Sequence, residues 1–258
     1  MAWSSKVKHF IKSSTKNKNR PTPLLWGIIP AAGVSRRMLQ DSTTPKQYCP
    51  IGSQLVIEHT LNLLLSHSSY FQKIIVVLHP NDTHFKTLPL SSHPKIHTTT
   101  GGHTRAQSVR CGLDALKAFT VKPNDWVLTH DAARPCLRKE KLQHFIDTII
   151  NTEIIGGLLA IPVSDTLKYI KKNHAIETIK RDNIWQAQTP QMFRYQHLDQ
   201  ALGNITPEKN NVSDEASAIE QLGYQPKIIL GDTLNLKITH PEDLTLAHCL
   251  MENHYANS

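Results

Sequence analysis

Apolar runs alternate along this chain with segments whose apolar residues repeat every three or four positions, and this alternation restricts the possible folds more than any other feature. Short continuous apolar runs predict strands buried on both faces, and the amphipathic segments predict helices. Strands that alternate with helices form βαβ units with right-handed crossovers. The sequence therefore predicts an α/β fold with a mostly parallel, doubly wound sheet.

The predicted elements follow one another from residue 24 onward, without an internal repeat. Strands are predicted at residues 24–29, 73–78, 125–129, 155–161 and 227–230. Helices are predicted at residues 53–66, 104–117, 139–150, 213–222 and 241–251. Ligands of such sheets bind outside the carboxyl ends of the strands, so we expect functional residues in the loops that follow strands.

One segment, residues 162–185, interrupts the alternation. Two β-prone pieces, residues 166–170 and 175–179, flank a polar stretch with Asn173 at its centre, a pattern typical of a β-hairpin. A hairpin inserted in a doubly wound domain suggests a lid, or an arm that packs on a second subunit. We therefore divide the chain into a leader (residues 1–23) and one domain (24–258) with this arm.

Positive charge is concentrated in the leader. The whole chain has 29 basic and 21 acidic residues, yet residues 1–24 contain six basic side chains and no acid. The remainder is close to neutral, which argues against a nucleic-acid-binding body. The leader is interpreted as a disordered basic tail, and the alternative is an organelle transit peptide. We expect a bacterial cytoplasmic protein, with plastid import as the alternative.

The remaining composition excludes several classes of protein. No apolar run approaches the roughly 18–20 residues that cross a bilayer. The four cysteines are widely spaced and form no C-x-x-C pair, so we interpret them as free thiols of a reducing compartment. The fifteen histidines are scattered without an H-E-x-x-H pattern, and they predict surface or packing roles rather than a metal site.

Small and basic residues follow the first predicted strand. Gly33 lacks a Cβ that would block a ligand, and Arg37 and Lys46 follow within the next loop. Backbone amides combined with arginine and lysine can hold a polyphosphate, although a tight turn with solvated basic residues remains the alternative. The spacing matches neither a P-loop nor a dinucleotide-binding glycine motif.

Three further candidates lie at later strand ends or helix starts. Gly102 and Ser108 lie at a helix start that permits close contact with a planar base. Asp131 follows the third predicted strand, where a carboxylate can hold Mg²⁺ with phosphate oxygens, unless it only pairs with Arg134. Lys237 lies between apolar residues of a predicted short strand, and it either meets an anion or extends to solvent.

Taken together, these motifs resemble those of the 2-C-methyl-D-erythritol 4-phosphate cytidylyltransferases. The resemblance spans about residues 24–250, in order and at compatible spacing. The matching stretches are Pro30-Ala31-Ala32-Gly33-x-x-x-Arg37-Met38, Pro45-Lys46-Gln47-Tyr48, Gly101-Gly102-x-x-Arg105-x-x-Ser108-Val109, His130-Asp131-Ala132-Ala133-Arg134-Pro135, Asp165-Thr166, Thr189-Pro190-Gln191, Asp214-Glu215-Ala216 and Lys237-Ile238-Thr239-x-Pro241-Glu242-Asp243.

The resemblance implies a Rossmann-like homodimer whose hairpin arm reaches into the partner's active site. It implies roles for three groups of residues. The catalytic cations would be Arg37, Lys46 and Lys237. The nucleotide would be bound by Ala31, Ala32, Gly33, Gly102, His103, Ser108 and Asp131, with Asp131 also the ligand of Mg²⁺ or another divalent cation. The second substrate would be bound by Arg134, Thr166, Arg181, Thr189 and Ser213.

The implied reaction transfers CMP from CTP to 2-C-methyl-D-erythritol 4-phosphate and releases pyrophosphate. Positioned cations would offset the repulsion between the two anionic substrates, and an ionised phosphate needs no general base. Three alternatives remain at this point. They are a cytidylyltransferase for ribitol 5-phosphate or another polyol phosphate, a basic nucleic-acid-binding protein, and a non-catalytic nucleotide sensor.

Overall fold

A computed structural model of the chain describes residues 23–33, 44–203 and 212–255. The strands within these ranges are β1 (Leu25–Ala31), β2 (Pro50–Ile51), β3 (Gln54–Leu55), β4 (Phe71–Leu78), β5 (Ile96–Thr100), β6 (Trp126–Thr129), β7 (Gly156–Pro162), β8 (Leu167–Lys171), β9 (His174–Ile179), β10 (Trp185–Arg194) and β11 (Lys227–Leu230). The helices are α1 (Val56–Ser66), α2 (Arg105–Leu116), α3 (Lys139–Ile150), α4 (Tyr195–Gly203), α5 (Glu215–Gln221) and α6 (Pro241–Tyr255). Strands and helices alternate through most of the chain, as predicted.

A seven-stranded sheet with the order β11-β7-β10-β6-β1-β4-β5 forms the centre of the described structure. β1 is parallel to both of its neighbours, β4 and β6, and β4 is parallel to β5. β10 runs antiparallel between β6 and β7. The sheet is therefore mostly parallel, and the carboxyl ends of β1, β4 and β6 share one edge, which is where the candidate loops begin.

Helices cover both faces of this sheet. Side chains of adjacent positions along β1 and β4 point to opposite faces, so Ile29 and Val76 belong to one apolar cluster, and Ile28 and Val77 belong to the other. The first cluster includes residues of α1 and α3, and the second includes residues of α2, α4 and α5. This arrangement confirms the predicted doubly wound sheet. A third cluster joins α6 to Ile238 and the β2 region.

The predicted hairpin forms a separate two-stranded sheet of β8 and β9. Every residue of β9 is exposed, and so are all residues of β8 except the half-buried Leu167. Lys172 and Asn173, at the turn, both have positive φ. The hairpin therefore extends from the domain with little of its surface covered.

The structure corrects several predicted boundaries. The helix predicted at 53–66 begins at Val56, because residues 50–55 form the small β2–β3 hairpin. The helix predicted at 213–222 spans Glu215–Gln221. The strand predicted around Lys237 is wrong: residues 235–239 are irregular and are tied to neighbouring loops by hydrogen bonds. No helix of the described residues is long and apolar enough to cross a membrane. Residues 1–22 of the leader lie outside the described residues.

Candidate active site

A cavity opens at the carboxyl edge of the sheet, between five segments that are separated in sequence. These are the end of β1, the segment around Lys46, the start of α2, the segment after β6 and the loop that bears Lys237. The lining residues are Pro30, Ala31, Ala32, Gly33, Lys46, Gln47, Gly102, His103, Thr104, Arg105, Ser108, Asp131, Ala132, Ala133 and Lys237. Most of the residues predicted to bind nucleotide or to act as catalytic cations thus line one cavity.

The end of β1 and the start of α2 approach each other closely at the floor of this cavity. A Cβ on Gly101 would lie 2.6 Å from the Cβ of Ala32 and 2.8 Å from Oγ of Ser108, so only glycine fits there. Ser108 is buried, and its hydroxyl donates to the backbone oxygen of Thr104 at 3.0 Å. No atom of the described residues lies within 4 Å of a Cβ built on Gly33. The floor therefore consists of small groups that admit a flat ligand.

Lys46 is held at the cavity by its neighbours in sequence and by the loop before α6. Its Nζ donates to the backbone oxygen of Ile238 at 2.7 Å. Gln47 donates from Nε2 to the backbone oxygen of Ala31 at 2.8 Å, which ties the segment to the end of β1. Tyr48 donates to Oδ2 of Asp82 at 2.6 Å. These contacts fix the backbone from which the lysine extends.

Asp131 lies at the centre of the charged groups. Its Oδ1 accepts from Nε of Arg105 at 2.9 Å, and its Oδ2 lies 2.7 Å from Nζ of Lys237. Burial raises the pKa of this carboxyl, but the charges of Arg105 and then Lys237 outweigh burial, so the pKa lies well below its usual range. Asp131 is therefore a permanent anion that orients cations toward the cavity.

His130 and Thr189 fix the backbone of Asp131 from behind. Nε2 of His130 lies 3.1 Å from the backbone oxygen of Arg134, which can only accept, so Nε2 carries the hydrogen. Nδ1 is then the acceptor for the Thr189 hydroxyl at 2.9 Å, and Oγ1 of Thr189 accepts from the Asp131 amide at 3.0 Å. Burial lowers the pKa of His130 to about 4, so the ring is neutral near neutral pH.

The position of Thr189 follows from an irregularity in β10. The pairing of β10 with β7 shifts register between Ala187 and Gln191, and Thr189 lies in that interval. Such bulges redirect side chains next to active sites. Here the irregularity turns the Thr189 hydroxyl toward His130 and Asp131. Its hydroxyl hydrogen is engaged by His130, and the predicted contact of Thr189 with substrate stays a prediction.

The other residues predicted to bind the second substrate are dispersed. Arg134 is buried next to the cavity, where Nη1 donates to the backbone oxygen of Asn235 at 2.6 Å and Nε lies 3.7 Å from Asp131. Ser213 is exposed before α5. Thr166 and Arg181 are exposed residues of the arm that flank β8 and β9, and Arg181 contacts the backbone oxygen of Ser164. Arg37 lies outside the described residues.

Two residues of the charged network were not assigned roles by sequence reasoning. Arg105 lines the cavity and binds Glu215, whose carboxylate is 1% exposed. Both belong to the quoted motifs, but the chemical signal for Glu215 is weak. An acid on the first turn of a helix is common and usually faces solvent. Its burial becomes visible only when α5 is packed against the sheet.

The described lining of the cavity offers one carboxylate to a phosphate-bound divalent cation, and its two oxygens already face Arg105 and Lys237. Asp131 is the single carboxylate among its described lining residues. The described residues contain no group of three or more His, Cys, Asp or Glu side chains that could hold a metal by themselves. Mg²⁺ is commonly held by one or two carboxylates plus substrate phosphates, so Asp131 fits such an ion only together with a bound polyphosphate.

Comparison with known proteins places the chain in a family. The model of the family described as 2-C-methyl-D-erythritol 4-phosphate cytidylyltransferase matches residues 25–253. The chain is 44% identical over 234 residues to the protein of that name from Buchnera aphidicola subsp. Acyrthosiphon pisum, covering 90% of this chain and 95% of that protein. It is also 44% identical over 220 residues to that of Ectopseudomonas mendocina, covering 85% and 92%.

Solved structures give the same answer. The crystal structure of the Francisella tularensis 2-C-methyl-D-erythritol 4-phosphate cytidylyltransferase superposes with a TM-score of 0.75 at 33% identity, covering 88% of this chain and 99% of that one. The class of protein is therefore a nucleotidyltransferase built on a mostly parallel α/β sheet. Within that class, the chain belongs to the 2-C-methyl-D-erythritol 4-phosphate cytidylyltransferase family. The resemblance found in the sequence motifs is confirmed.

Proposed function

We propose that this protein transfers CMP from CTP to 2-C-methyl-D-erythritol 4-phosphate, and that the cavity at the end of β1 is where it does so. One observation carries the proposal: Lys46 and Lys237 line the same cavity as the small residues Ala31–Gly33 and the anion Asp131. The two lysines come from loops that are almost 200 residues apart in sequence but in contact in the fold. Lysines that were only solvated at the surface would not need to be brought together in this way. Family membership supports the choice of substrates.

In the proposed reaction, an oxygen of the substrate phosphate attacks the α-phosphorus of CTP. A new P–O bond forms, the bond to the bridging oxygen of the β-phosphate breaks, and pyrophosphate leaves with that electron pair. The attacking phosphate is already ionised near neutral pH, so no proton has to be removed. Lys46, Lys237 and Arg37 are proposed to offset the charge that develops on the α-phosphate. A divalent cation, when bound, would supply further neutralisation beside Asp131.

Recognition of cytosine is proposed for the floor of the cavity. Ala31, Ala32, Gly102 and Ser108 present small groups at that place, and His103 lies exposed on the wall. Backbone amides and carbonyls at a glycine-lined turn can read the edge of a pyrimidine where side chains would exclude it. Gly33 is proposed to let the triphosphate approach the backbone.

The hairpin β8–β9 is proposed to complete a second subunit's site in a homodimer, and Thr166 and Arg181 to bind the phosphate of the second substrate there. Arg134, Thr189 and Ser213 belong to the same proposed pocket, where Thr189 contributes by holding the backbone of Asp131 rather than by donating to the phosphate. An isolated two-stranded hairpin is marginally stable in water, which supports a covered state for this arm. The bacterial source of the relatives and the free thiols support a cytoplasmic setting.

The proposal is tested by pyrophosphate release with each of the four nucleoside triphosphates, with 2-C-methyl-D-erythritol 4-phosphate as acceptor and with or without Mg²⁺. Of the four triphosphates, we expect only CTP to give turnover, and we expect this turnover to depend on a divalent cation. Ribitol 5-phosphate in place of the acceptor should give little product. Preference for another triphosphate, or equal turnover with ribitol 5-phosphate, would reject the assignment of substrates.

Variants test the site independently of the substrates. Lys46→Ala and Lys237→Ala should each reduce kcat by a factor of about 10²–10³, as expected when a preorganised cationic donor is removed. Lys227→Ala, at an exposed position of β11, is the matched control and should retain wild-type kcat. Near wild-type turnover in either cavity variant would remove that lysine from the mechanism. Arg181→Ala should raise KM for the phosphorylated alcohol more than KM for CTP.

A further inference from the structure

Arg105 occupies a position that a cation normally avoids. It is the first residue of α2, and the first turn of that helix contains no acid. The positive end of a helix dipole disfavours a cation there. Two carboxylates stabilise the guanidinium at this position. Nη1 and Nη2 donate to the two oxygens of Glu215 at 2.6 and 3.1 Å, and Nε donates to Asp131 at 2.9 Å.

Glu215 is itself rigidly placed. Its side chain is 1% exposed, and Oε2 also accepts from the Thr129 hydroxyl at 2.8 Å. The helix that bears it is clamped by Gln191, whose Oε1 accepts from the amide of Ala216 and whose Nε2 donates to Asp214, both at 2.8 Å. Glu215 therefore connects the central strand β6 with the start of α5, and it holds the guanidinium from the side away from Asp131.

The two oxygens of Asp131 have different partners as a result. Arg105 binds Oδ1, and Oδ2 faces Nζ of Lys237 at 2.7 Å, with Nε of Arg134 more distant at 3.7 Å. Lys237 is 40% exposed and lines the cavity, and among the described residues this carboxylate oxygen is the charged group that faces its ammonium. A rotation of the Asp131 carboxylate would move the ammonium with it.

A buried ion pair is a poor device for stability alone, because the cost of removing two charges from water is comparable to the attraction between them. The charges of Glu215 and then Asp131 outweigh the effect of burial and raise the pKa of Arg105 above its ordinary value, so the guanidinium is charged at all relevant pH. The pair thus supplies fixed geometry at the cavity.

We propose that Glu215 and Arg105 are positioning residues for the transfer reaction. Glu215 holds the guanidinium of Arg105, Arg105 holds one oxygen of Asp131, and the other oxygen holds Lys237 toward the reacting phosphate. This inference rests on the proposed function of the cavity, and neither Glu215 nor Arg105 needs to touch a substrate for it. Glu215 also neutralises Arg105, which keeps that cation from competing for the triphosphate.

The decisive variant is Glu215→Gln, which keeps the shape of the side chain and removes its charge. Arg105 would lose one of its two fixed anchors, and Lys237 would no longer be held at the reacting position. We expect kcat to fall about 10- to 100-fold, because misplacement by about 1 Å costs that much, while KM for CTP changes less than about threefold or decreases. Glu220→Gln, an exposed acid on the same helix, is the matched control and should leave both constants unchanged.

Two further variants separate positioning from a general loss of folding. Arg105→Lys keeps the charge but cannot contact both oxygens of Glu215, so it should reduce kcat about as much as Glu215→Gln. The two changes combined should cost little more than either alone, since they break one chain of contacts. Thr129→Val keeps every charge and removes one hydrogen bond to Glu215; it should lower kcat about three- to tenfold, and it serves if Glu215→Gln does not fold.

The outcomes distinguish this inference from the proposed function. Wild-type enzyme that fails to release pyrophosphate from CTP with the methylerythritol phosphate would overturn the proposed function itself. If the wild type is active, a Glu215→Gln enzyme with the kcat of Glu220→Gln, or multiplicative losses in the double variant, would overturn only the positioning role. A rise in KM for CTP at constant kcat would identify Arg105 as a substrate ligand instead.

Discussion

The hydroxyl of Thr189 has a single arrangement that satisfies all of its neighbours. The backbone oxygen of Arg134 requires a hydrogen on Nε2 of His130, so Nδ1 of that ring can only accept. Thr189 must then donate to Nδ1 and use a lone pair for the amide of Asp131. A hydroxyl whose hydrogen is engaged inward cannot also donate to a substrate phosphate. The geometry therefore favours a role for Thr189 in holding Asp131.

This arrangement predicts different outcomes for two substitutions at Thr189. Thr189→Val would leave Nδ1 of His130 and the amide of Asp131 without partners, and we expect a loss of about 1–3 kcal/mol in the free energy of unfolding. It should also lower kcat about tenfold by loosening Asp131. Thr189→Ser keeps the hydroxyl and should stay close to wild type in both measurements. Urea unfolding and steady-state kinetics of the two variants check the prediction, and equal behaviour of valine and serine would contradict it.

Some site residues could be predicted from sequence, and others could not, for a physical reason. Gly33, Asp131 and Lys46 follow strands, and parallel strands bring their carboxyl ends to one edge whatever the rest of the chain does. The partner of Arg105 is different. Glu215 lies 110 residues away, and its contact depends on where α5 packs. Only tertiary structure selects among the chain's many acids.

At the scale of elements, the hairpin β8–β9 differs most from the rest of the molecule. Tyr169, Ile170 and Ile176 are each more than half exposed, whereas the apolar residues of the central strands are mostly buried. Exposed apolar side chains grouped on one element are typical of an interaction surface. Under the homodimer proposed above, the partner of this surface is a second copy of the chain.

We predict that charge on this surface disrupts the proposed dimer. Ile170→Glu should convert a dimer at micromolar concentration into a monomer, because a carboxylate would have to be desolvated in the interface. Light scattering coupled to size-exclusion chromatography measures the change. Lys171→Glu alters the neighbouring exposed position and is the matched control, expected to remain dimeric. A wild-type chain that is monomeric at all concentrations would contradict the arm's proposed role.

Two strands of the central sheet that sequence analysis missed, β10 and β5, share a cause. Trp185–Arg194 mixes apolar residues with glutamines and contains Pro190, so it has neither a continuous apolar run nor strict alternation. It forms a strand because its backbone pairs antiparallel with β6 on one side and with β7 on the other. β5 lies at the edge of the sheet with only Ile96 buried, so it lacks the apolar pattern of a central strand. Local sequence predicts strands whose own side chains form the core, and pairing determines the others.

At the scale of the whole molecule, the edge of the sheet combines a closely packed interior with buried polar groups. His130 is fully buried directly after β6, and it is neutral near neutral pH because burial lowers its pKa to about 4. The unfolded chain binds a proton at this histidine near the ordinary value of about 6.5. Folding therefore excludes a proton that the unfolded state takes up as the pH falls.

The sign of this linkage predicts how stability depends on pH. The contribution of His130 to the free energy of unfolding is complete above about pH 6.5 and is lost progressively as the pH falls toward about 4. The amount lost by about pH 5 is about 2 kcal/mol. Asp131 keeps its charge through this window, because its pKa lies well below the usual range. Urea unfolding at about pH 7.5 and about pH 5 should show His130→Gln losing about 2 kcal/mol less than wild type over that interval. His144→Gln, at an exposed position of α3, is the control and should follow the wild-type curve. Equal losses of unfolding free energy in all three proteins would contradict the prediction, because His130 would then take up its proton in the folded state as readily as in the unfolded state.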